Sequence, residues 1–455
     1  MNANTAHVNT MQSILIIGLG QTGLSCARFL VQQGFAVAMM DTREQPPALE
    51  IVQQELPEVL VHTGGLKSDW LQQADMIVLS PGVDPRLPEI QLAQQAGIEL
   101  VGDIELFARY ANAPIIAITG SNGKSTVTTL LAEMAIMAGK TVNVGGNLGT
   151  PALDLISELA PDFYIVELSS FQLETVQSLN AFASVVLNIS PDHLDRYDSE
   201  ADYQAAKIQV FAGDGVMIIN RDDVLLNSMT QADRHHIGFS LHAPTGIDFG
   251  LIEQDGQHWL AEGQQALITV NSLQIVGQHN VANTLAALAL GSAMALPMPA
   301  MLTALQQYKG LPHRCRLVMT SQNIRWFNDS KATNVGACIA AIEGLSNNGK
   351  IILIAGGIAK DQDFSPLTAV LEHAVSTVIL IGQDADLLAD IIPQTVAHYQ
   401  AATMADAVIK AQQIAQTHDD VLLSPACASF DMFSGYEQRG DVFEAAVHQY
   451  GGSAL

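Results

Sequence analysis

Residues 119–126 have the composition of a loop that binds phosphate groups, because two glycines precede Lys124, Ser125 and Thr126. Backbone N–H groups of such a loop, and of a helix that begins behind it, point at anionic oxygens. Lys124 would reach the β- and γ-phosphates, and the Ser125 hydroxyl would bind Mg²⁺. The usual pattern begins with a glycine, where this chain has Ile118. We expect a nucleotide to contact Gly120, Ser121, Asn122, Gly123, Lys124, Ser125 and Thr126.

Three further side chains could take part in the same chemistry. Glu167 ends the apolar run 163–166, where a Mg²⁺ ligand is expected downstream of a phosphate loop, and helix capping is the alternative. His193 follows the apolar run 184–189, and it could bind a metal or be purely structural. Lys207 lies among small and apolar residues, which favours a packed stem with the ammonium group in solvent.

A second glycine loop, residues 18–23, follows an apolar run near the start of the chain. Its Gly-x-Gly-x-x-Gly spacing matches the dinucleotide fingerprint, and Asp41 ends the next apolar run as that fingerprint requires. The pattern is typical of NAD or FAD sites, and more generally of a helix N-terminus that faces a diphosphate. Thr42 and Arg43 could contact a ribose, a base or another phosphate, and Gly82 lies in a Pro-Gly loop at the same predicted sheet edge.

The last third of the chain has polar side chains after several apolar runs. Lys331, Thr333, Lys360 and Ser429 together suit a substrate that carries carboxylates, although each alone is better explained as a surface or capping residue. Further upstream, Asn280 precedes an Ala-rich helical segment. It could hydrogen-bond a nucleotide or cap that helix.

The elements that must position these residues alternate between strands and helices. Residues 115–118 predict a buried strand and 127–134 a helix, an order that favours a phosphate loop over an incidental Gly-Lys-Ser turn. The same alternation before and after them predicts an α/β protein of three domains. We expect a Rossmann-like domain over 1–102, a central domain of the phosphate-loop ATPase type over 103–311, and a Rossmann-like C-terminal domain over 312–455.

Composition excludes several classes of protein. A chain of 455 residues that is 48% hydrophobic and 15% charged is typical of a folded multidomain protein. Its formal net charge of −26 opposes nucleic-acid binding, so anionic nucleotides must be held by local cations and backbone N–H groups. No apolar run is long enough to span a membrane, and the polar N-terminus does not resemble a signal peptide. Because the four cysteines are scattered and without metal-site spacing, we expect reduced thiols in a cytoplasmic protein.

The chain resembles the Mur ligase family, the ATP-dependent amide ligases of peptidoglycan synthesis, over almost all of its length. Residues 119–126 match that family's own phosphate loop, which has no glycine at the position of Ile118. The resemblance is most specific to the members that add D-glutamate to UDP-N-acetylmuramoyl-L-alanine. It rests on residues 149–153, 167–174, 192–197, 277–280, 311–314, 328–334, 424–429 and 437–440.

The resemblance implies that the first domain holds UDP rather than NAD. Contacts with the diphosphate correspond to Gly20, Gln21 and Thr22, and contacts around the uridine to Asp41, Thr42, Arg43 and Gly82. The muramoyl-peptide end corresponds to Asn147.

For the central domain, the resemblance implies ATP and two Mg²⁺ ions. Ser125 and Glu167 would bind one ion and His193 the other, with Lys124 on the phosphates. Lys207 matches a lysine that the family carbamylates with CO₂, so an anionic carbamate would help to hold metal. Lys124, His193 and Lys207 are then the catalytic residues, although His193 could instead be a base. Further nucleotide contacts correspond to Asn280, Arg314 and Asp329.

By the same resemblance, a mobile third domain receives D-glutamate on Lys331, Thr333, Lys360, Ser429 and Tyr436. Three positions depart from the family pattern. Gln21 and Tyr436 stand where leucine and phenylalanine are expected, and the residues before Lys360 lack the usual aspartate.

The implied activity is ligation through an acyl phosphate, by a monomer that serves cell-wall biogenesis and hence cell shape and cell division. Nucleic-acid binding and stable membrane insertion are not expected. Two other classes remain open. An NAD-dependent oxidoreductase built on residues 18–23 would leave Lys124, Glu167 and His193 unexplained, and a nucleotide-binding regulator would have no catalysis.

Overall fold

A computed structural model describes residues 12–190, 196–197, 199–230, 233–345, 349–360 and 362–452. The chain forms two compact units. The first comprises Met1–Gly250, Glu262–Gln265 and Leu285–Met301, and the second comprises Leu251–Ala261, Ala266–Thr284 and Leu302–Leu455. Three sheets with helices between their strands give the α/β class that the sequence predicts. Among the described residues, no helix combines the length and the apolar character that a membrane span requires.

The first sheet is entirely parallel and has the order β3-β2-β1-β4-β5. Its strands are β1 (Ser13–Ile17), β2 (Ala36–Asp41), β3 (Leu60–Thr63), β4 (Met76–Leu79) and β5 (Glu99–Gly102). Its helices are α1 (Gln21–Gln32), α2 (Leu49–Glu55), α3 (Ser68–Gln73), α4 (Pro88–Gln95) and α5 (Asp103–Tyr110). In an open parallel sheet of this kind, ligands bind outside the carboxyl ends of the strands.

The second sheet contains the predicted phosphate loop. The strands are β6 (Ile115–Thr119), β7 (Val142–Gly146), β8 (Phe163–Glu167), β9 (Ala183–Val186), β10 (Val216–Asn220), β11 (His236–Phe239), β12 (Phe249–Gln254), β13 (Gln257–Glu262) and β14 (Gln265–Thr269). In the first unit they run parallel in the order β11-β10-β9-β6-β8-β7, and Phe239 of β11 pairs with Phe249 of β12. The helices are α6 (Lys124–Met137), α7 (Ser170–Leu173), α8 (Glu200–Ile208), α9 (Val224–Asn227), α10 (Gln278–Ala293) and α11 (Met298–Gln307). Single 3₁₀ turns lie at Ala152–Leu155, Gln209–Phe211 and Val270–Ser272.

The third sheet lies in the second unit, in the order β15-β16-β20-β17-β18-β19. Only its edge pair, β15 with β16, is antiparallel among the pairings of the described residues. The strands are β15 (Arg316–Ser321), β16 (Ile324–Asn328), β17 (Ile351–Gly356), β18 (Val375–Ile381), β19 (Ala397–Gln400) and β20 (Asp420–Leu423). The helices are α12 (Val335–Leu345), α13 (Leu367–Ala374), α14 (Ala385–Ala389), α15 (Met404–Ile414) and α16 (Tyr436–Tyr450).

One hydrophobic core joins the first two sheets within the first unit. It contains Ile14 and Phe107 from the N-terminal part and Tyr164 and Val166 from the phosphate-loop part. The rings of Phe107 and Tyr164 meet edge to face, with their centroids 5.1 Å apart. Because packed cores resist deformation, the carboxyl ends of β1 and β8 keep a defined spacing.

The first glycine loop needs glycine at two places for steric reasons. Gly18 has a φ of +106°, a conformation that favours glycine, and a Cβ at Gly23 would lie 1.9 Å from the Gly18 carbonyl oxygen. At Gly20 a Cβ would meet nothing within 4 Å. Gly18 is therefore required by its positive φ and the closeness of Ser80, and Gly23 by the close approach of α1 to the end of β1, whereas the position of Gly20 is open.

We expect Gly23→Ala to destabilise the protein by about 3 kcal/mol, because the new methyl group forces α1 away from β1. Gly20→Ala is the matched control, since its Cβ enters open space at an allowed φ of −99°. Thermal unfolding of both variants measures the difference. Equal unfolding temperatures for the two variants would contradict the steric assignment.

Candidate active site

A cleft of about 510 Å³ opens at the carboxyl edge of the first sheet, and all of its lining residues belong to the first unit. It brings together eight residues predicted to bind the substrate: Gly20, Gln21, Thr22, Asp41, Thr42, Arg43, Gly82 and Asn147. Seven come from the N-terminal part, and Asn147 comes from the loop after β7. The cleft thus extends from the first glycine loop to the sheet of the phosphate loop.

The N-terminus of α1 faces this cleft. Gly20 is its N-cap residue, no side chain accepts from the first turn, and Gly20 and Gln21 both line the cleft. The first N–H groups of a helix lack partners within the helix and carry partial positive charge. An anion such as a diphosphate is therefore the ligand that this end of the cleft favours.

Asp41 is already paired. Its carboxylate accepts hydrogen bonds from the Leu19 backbone N–H at 2.7 Å and from the Arg43 guanidinium at 2.8 and 2.6 Å. Burial favours the neutral acid, but the bonds from Arg43 and Leu19 outweigh it and lower the pKa of Asp41. Arg43 is half-exposed at the cleft, so this pair presents guanidinium N–H donors to a ligand as well as a carboxylate.

A buried acid that the sequence did not suggest contacts one of the residues that line the cleft. Gln172 lines the cleft, and its Nε2 donates to Asp103 Oδ2 at 2.8 Å. Asp103 is 3% exposed, and its Oδ1 has no hydrogen-bond partner among the described residues. Burial raises the pKa of Asp103 to about 6. Gln172 lies in segment 167–174, which carries the family resemblance, but the neighbouring sequence does not indicate that Asp103 is its partner.

This buried acid gives the protein a pH-dependent stability. Because the folded-state pKa of Asp103 is about 6, above its ordinary 3.8, the folded state binds more protons than the unfolded state between those values. Stability from this group is therefore present at low pH and is lost as the pH rises through 6. We expect the advantage of Asp103→Asn over the wild type to grow by about 2 kcal/mol between pH 4 and pH 8.

Unfolding temperatures at both pH values measure that advantage. Asp69→Asn on the exposed face of α3 is the control, and its effect on unfolding should not change with pH in this way. A constant difference between Asp103→Asn and the wild type would contradict the raised pKa.

Glu167 and Asn147 connect the cleft to the phosphate-loop sheet. The Asn147 backbone N–H donates to Glu167 O at 2.8 Å, and its side-chain Nδ2 donates to Glu167 Oε1 at 2.7 Å. Glu167 ends β8, whose neighbour β6 leads into the phosphate loop. The capping alternative for Glu167 is not observed, since the residue that caps α7 is Ser169.

The phosphate loop has the predicted strand–loop–helix geometry. Gly123 is the N-cap of α6 at a φ of +85°, and Gly120, at +152°, passes Leu187 so closely that a Cβ would be 3.0 Å from the leucine Cβ. Lys124 curls back over the loop, and its Nζ donates to the carbonyl oxygens of Gly120 and Ser121 at 2.8 and 3.0 Å. The ammonium group is thus held beside the helix N-terminus, where phosphate oxygens would bind.

Asn122 and Ser121 are held from outside the loop. Asn122 N–H donates to Asn188 Oδ1 at 2.9 Å, and Ser121 Oγ lies 2.9 Å from the Tyr203 hydroxyl. Ser125 and Thr126, in the first turn of α6, are buried.

Lys207 is buried, so the interpretation that its ammonium group reaches solvent is wrong. The residue is 2% exposed, and its Nζ donates to the Gly120 carbonyl at 2.9 Å while lying 4.7 Å from the centre of the Tyr203 ring. Lys124 and Lys207 therefore share one acceptor on the phosphate loop. The small and apolar neighbours correctly indicated that the stem of the Lys207 side chain is packed. The face of α8 that carries Lys207 packs against the phosphate loop, so the ammonium group is buried as well.

The predicted metal ligands are only partly described. His193 lies outside the described residues, and within the described ranges no group of three histidines, cysteines or acids could hold a metal. The remaining predicted donors are the Ser125 hydroxyl and the Glu167 carboxylate. Glu167 Oε2 is buried without a hydrogen-bond partner in the part of the chain that the structure describes. A buried carboxylate oxygen with no donor fits a cation, so these residues suit Mg²⁺.

In the second unit, Asp329 follows β16 and is 8% exposed. It accepts from the Ser424 hydroxyl at 2.8 Å and from the Cys315 N–H at 3.0 Å, and burial raises its pKa to about 7.

Lys331 Nζ lies 3.8 Å from the centre of the Tyr436 ring. Burial and the neighbouring Glu437 raise the pKa of Tyr436 to about 12. The ammonium group of Lys331 can form charge-assisted hydrogen bonds with a carboxylate.

The other predicted D-glutamate residues follow neighbouring strands. Lys360, after β17, is exposed with a φ of +51°, and its Nζ lies 5.9 Å from the Phe430 ring. Ser429, after β20, is 2% exposed, and Thr333, after β16, is half-buried. β16, β20 and β17 are adjacent, so these residues share one edge of the third sheet.

Two of the predicted nucleotide contacts, Asn280 and Arg314, belong to the second unit. Asn280 lies on α10, and Arg314 precedes β15. Asn280 is 7% exposed, its Nδ2 donates to Val276 O at 2.8 Å, and its Oδ1 accepts from Asn283 at 3.3 Å. Asn283 was not predicted, although it follows one helical turn later. Arg314 is half-buried.

Arg439 is a further residue that the sequence did not single out. It is fully buried, and its guanidinium donates to Ser330 Oγ and O at 2.9 and 2.7 Å and to Cys427 O at 3.0 Å. Burial lowers its pKa to about 10. By joining the segments after β16 and β20, it holds the sheet edge that carries Lys331 and Ser429. Arg439 lies in segment 437–440, which carries the family resemblance, but the sequence there does not indicate these hydrogen bonds.

Comparisons with known proteins cover nearly the whole chain. Three family models match it: "Mur ligase MurD-like, N-terminal domain" over residues 12–102, "Mur ligase middle domain" over 118–291 and "Mur ligase, glutamate ligase domain" over 313–427. Among full-length relatives, the UDP-N-acetylmuramoylalanine–D-glutamate ligase of Nitrosococcus oceani is 51% identical, and the alignment covers 96% of each chain. The ligase of the same name from Pseudomonas aeruginosa is 48% identical, over 96% of this chain and 97% of its own.

Solved structures of more distant proteins share the fold. The UDP-N-acetylmuramate-alanine ligase MurC of Thermotoga maritima aligns over 96% of this chain and 99% of its own, with 17% identity and a TM-score of 0.58. A UDP-N-acetylmuramoylalanyl-D-glutamyl-2,6-diaminopimelate–D-alanyl-D-alanyl ligase from Acinetobacter baumannii aligns over 91% and 90%, with 18% identity and a TM-score of 0.59.

Proposed function

The chain belongs to the Mur ligase family, and on that premise we propose that it joins D-glutamate to UDP-N-acetylmuramoyl-L-alanine at the expense of ATP. The reaction forms an amide bond during peptidoglycan synthesis. It draws on the cleft and the phosphate loop of the first unit and on the sheet edge of the second unit that carries Lys331.

The continuity of the cleft is the observation that carries this proposal. The cleft lining includes the N-terminus of α1 and Arg43, which suit a nucleotide diphosphate. It also includes Asn147, which is hydrogen-bonded to Glu167 on the strand next to the one that leads into the phosphate loop. A nucleotide-linked substrate bound along the cleft would therefore direct its other end toward the nucleotide triphosphate site. That arrangement supports activation of the substrate's terminal group by ATP.

Activation is needed because a carboxylate is a poor electrophile. In the first step, a carboxylate oxygen of the alanyl group attacks the γ-phosphorus of ATP, the bond to the β-phosphate oxygen breaks, and ADP leaves. The product is an acyl phosphate. Lys124 and the N-terminus of α6 would offset the negative charge that collects on the transferred group. The Lys124 Nζ lies on the loop that leads into the N-terminus of α6, which supports this role.

Mg²⁺, when bound, would neutralise charge on the phosphates and orient them. Ser125, Glu167 and His193 would hold it, with two ions as the proposed number. A carbamate on Lys207 would supply a further anionic oxygen ligand. It would form when the neutral amine of Lys207 attacks CO₂ and loses one proton, and the carbamate nitrogen would keep one N–H that can still donate to Gly120.

In the second step, the neutral amine of D-glutamate attacks the acyl carbon, and the tetrahedral intermediate expels phosphate. The amine must lose its ammonium proton before it attacks. His193 is the candidate base if it does not bind metal. Lys331, Thr333, Lys360, Ser429 and Tyr436 would hold the carboxylates of D-glutamate, since charge-assisted hydrogen bonds position such groups well.

Phosphate release tests the proposal. With ATP, Mg²⁺ and UDP-N-acetylmuramoyl-L-alanine supplied, we expect release that depends on D-glutamate, with L-glutamate and D-aspartate as controls. Equal release with all three amino acids would contradict the assigned specificity. No release with any of them would favour a nucleotide-binding regulator.

The oxidoreductase alternative has no support from the relatives, which are named as ligases. A change in nicotinamide absorbance on addition of NAD and a candidate substrate would support the oxidoreductase alternative. We place the protein in the cytoplasm as a monomer, where its product would serve cell-wall biogenesis, cell shape and cell division.

A further inference from the structure

Three neighbouring segments carry the residues that we assign to D-glutamate. β16, β20 and β17 run parallel and adjacent, so the segments that follow them leave the third sheet at the same edge. Thr333 lies after β16, Ser429 after β20 and Lys360 after β17. Their relative spacing depends on contacts between the segments, because none of the three lies within a strand.

Gln362 contacts all three segments through one side-chain amide. Its Nε2 donates to the carbonyl oxygen of Ala359 at 2.9 Å and to those of Thr333 and Ala426 at 3.4 Å each. An amide has two N–H groups, so at least two of the three carbonyl oxygens share one of them. Its Oε1 accepts from the Val335 N–H at 3.2 Å, at the first residue of α12.

The backbone already joins two of these segments. Ile358 and Ala428 exchange hydrogen bonds of 2.9 and 3.0 Å, which fixes the segment of Lys360 beside that of Ser429. Gln362 attaches the Thr333 segment to this pair, both at the Thr333 carbonyl and at the Val335 N–H. Loss of the amide would therefore shift Thr333 relative to Lys360 while the pairing of Ile358 with Ala428 persisted.

We propose that Gln362 is a positioning residue for D-glutamate, because its amide holds the segments of Thr333, Lys360 and Ser429 in one arrangement. The inference rests on the function proposed above. Gln362 acts through the groups around the amino acid rather than by reacting itself. Its effect should accordingly fall on the use of D-glutamate and not on the nucleotide substrates.

Gln362→Met tests this inference, because methionine keeps the length of the side chain and removes every hydrogen bond of the amide. We expect the KM for D-glutamate to rise about tenfold, while the KM values for ATP and UDP-N-acetylmuramoyl-L-alanine stay within about twofold. Gln413→Met, on the exposed face of α15, is the matched control and should leave all three values unchanged. Gln362→Asn is the second variant, since its shorter amide cannot span the same three carbonyls.

Three results would overturn the inference. An unchanged KM for D-glutamate in either Gln362 variant would show that the contacts do not position the amino acid. A rise in all three KM values together with a lowered unfolding temperature would show a merely structural role. Wild-type protein that releases no phosphate with D-glutamate would contradict the proposed function itself, and this inference with it.

Discussion

Lys124→Ala will lower D-glutamate-dependent phosphate release by at least about 1,000-fold, the loss typical of removing a group that stabilises transition-state charge. The Nζ of Lys124 is held 2.8 Å from the Gly120 carbonyl and 3.0 Å from that of Ser121, at the N-terminus of α6. No other side chain of the loop carries a positive charge. Without it, the loop would offer no positively charged side chain of its own to the γ-phosphoryl group.

Lys140→Ala is the matched control for Lys124→Ala. Lys140 lies in the same unit, but its side chain is 41% exposed and its Nζ pairs with Asp162 at 3.2 Å on the surface. Surface ion pairs of this kind contribute little to stability, and Lys140 is not one of the predicted site residues, so turnover should be unaffected. Both variants should keep the unfolding temperature of the wild type within a few degrees. A Lys124→Ala enzyme with wild-type turnover would contradict the phosphate-loop assignment.

Lys207→Ala is expected to be nearly inactive and to recover activity when formate or acetate is added. The buried Nζ lies 2.9 Å from the loop carbonyl of Gly120, so a carbamate built on it would place anionic oxygens beside the phosphate loop. Removing the side chain to Cβ leaves space in the same place. A small carboxylate that enters this space would restore the anionic oxygens, though not their attachment to the chain.

Phosphate release at rising formate concentration measures the recovery. Lys124→Ala, assayed in the same way, should show no recovery, because it lacks a cation rather than an anion. This contrast separates the two lysines that share the Gly120 carbonyl. Full activity of Lys207→Ala without any carboxylate, or equal recovery of both variants, would contradict the carbamate.

The two glycine loops and the α/β class could be predicted from the sequence because each depends on neighbouring residues. A helix N-terminus binds anions through N–H groups of its own first turn, so glycines next to a strand and a helix predict the site directly. Gly18, Gly23 and Gly123 have the positive φ angle or the close backbone contact that such loops require. The resemblance to a family supplied the roles of residues such as Asn147 and Tyr436, which no local pattern reveals.

Other features depend on residues that are distant in the chain. Lys207 has the local pattern of a residue whose charge reaches solvent, and only the packing of α8 turns its ammonium group toward Gly120. Gln362 and Arg439 resemble ordinary polar residues until the adjacent parallel strands bring three segments to the same sheet edge.

The sequence by itself therefore determined the ligand-binding loops, the α/β class and the kind of chemistry. The tertiary structure decided which walls enclose the cleft, which acid is buried behind Gln172, and which side chains hold the segments after β16, β17 and β20 in place. The physical reason is the range of the interactions. Helix N-termini and glycine turns are set by residues a few positions apart, whereas burial and hydrogen bonds between segments exist only after distant parts of the chain have packed together.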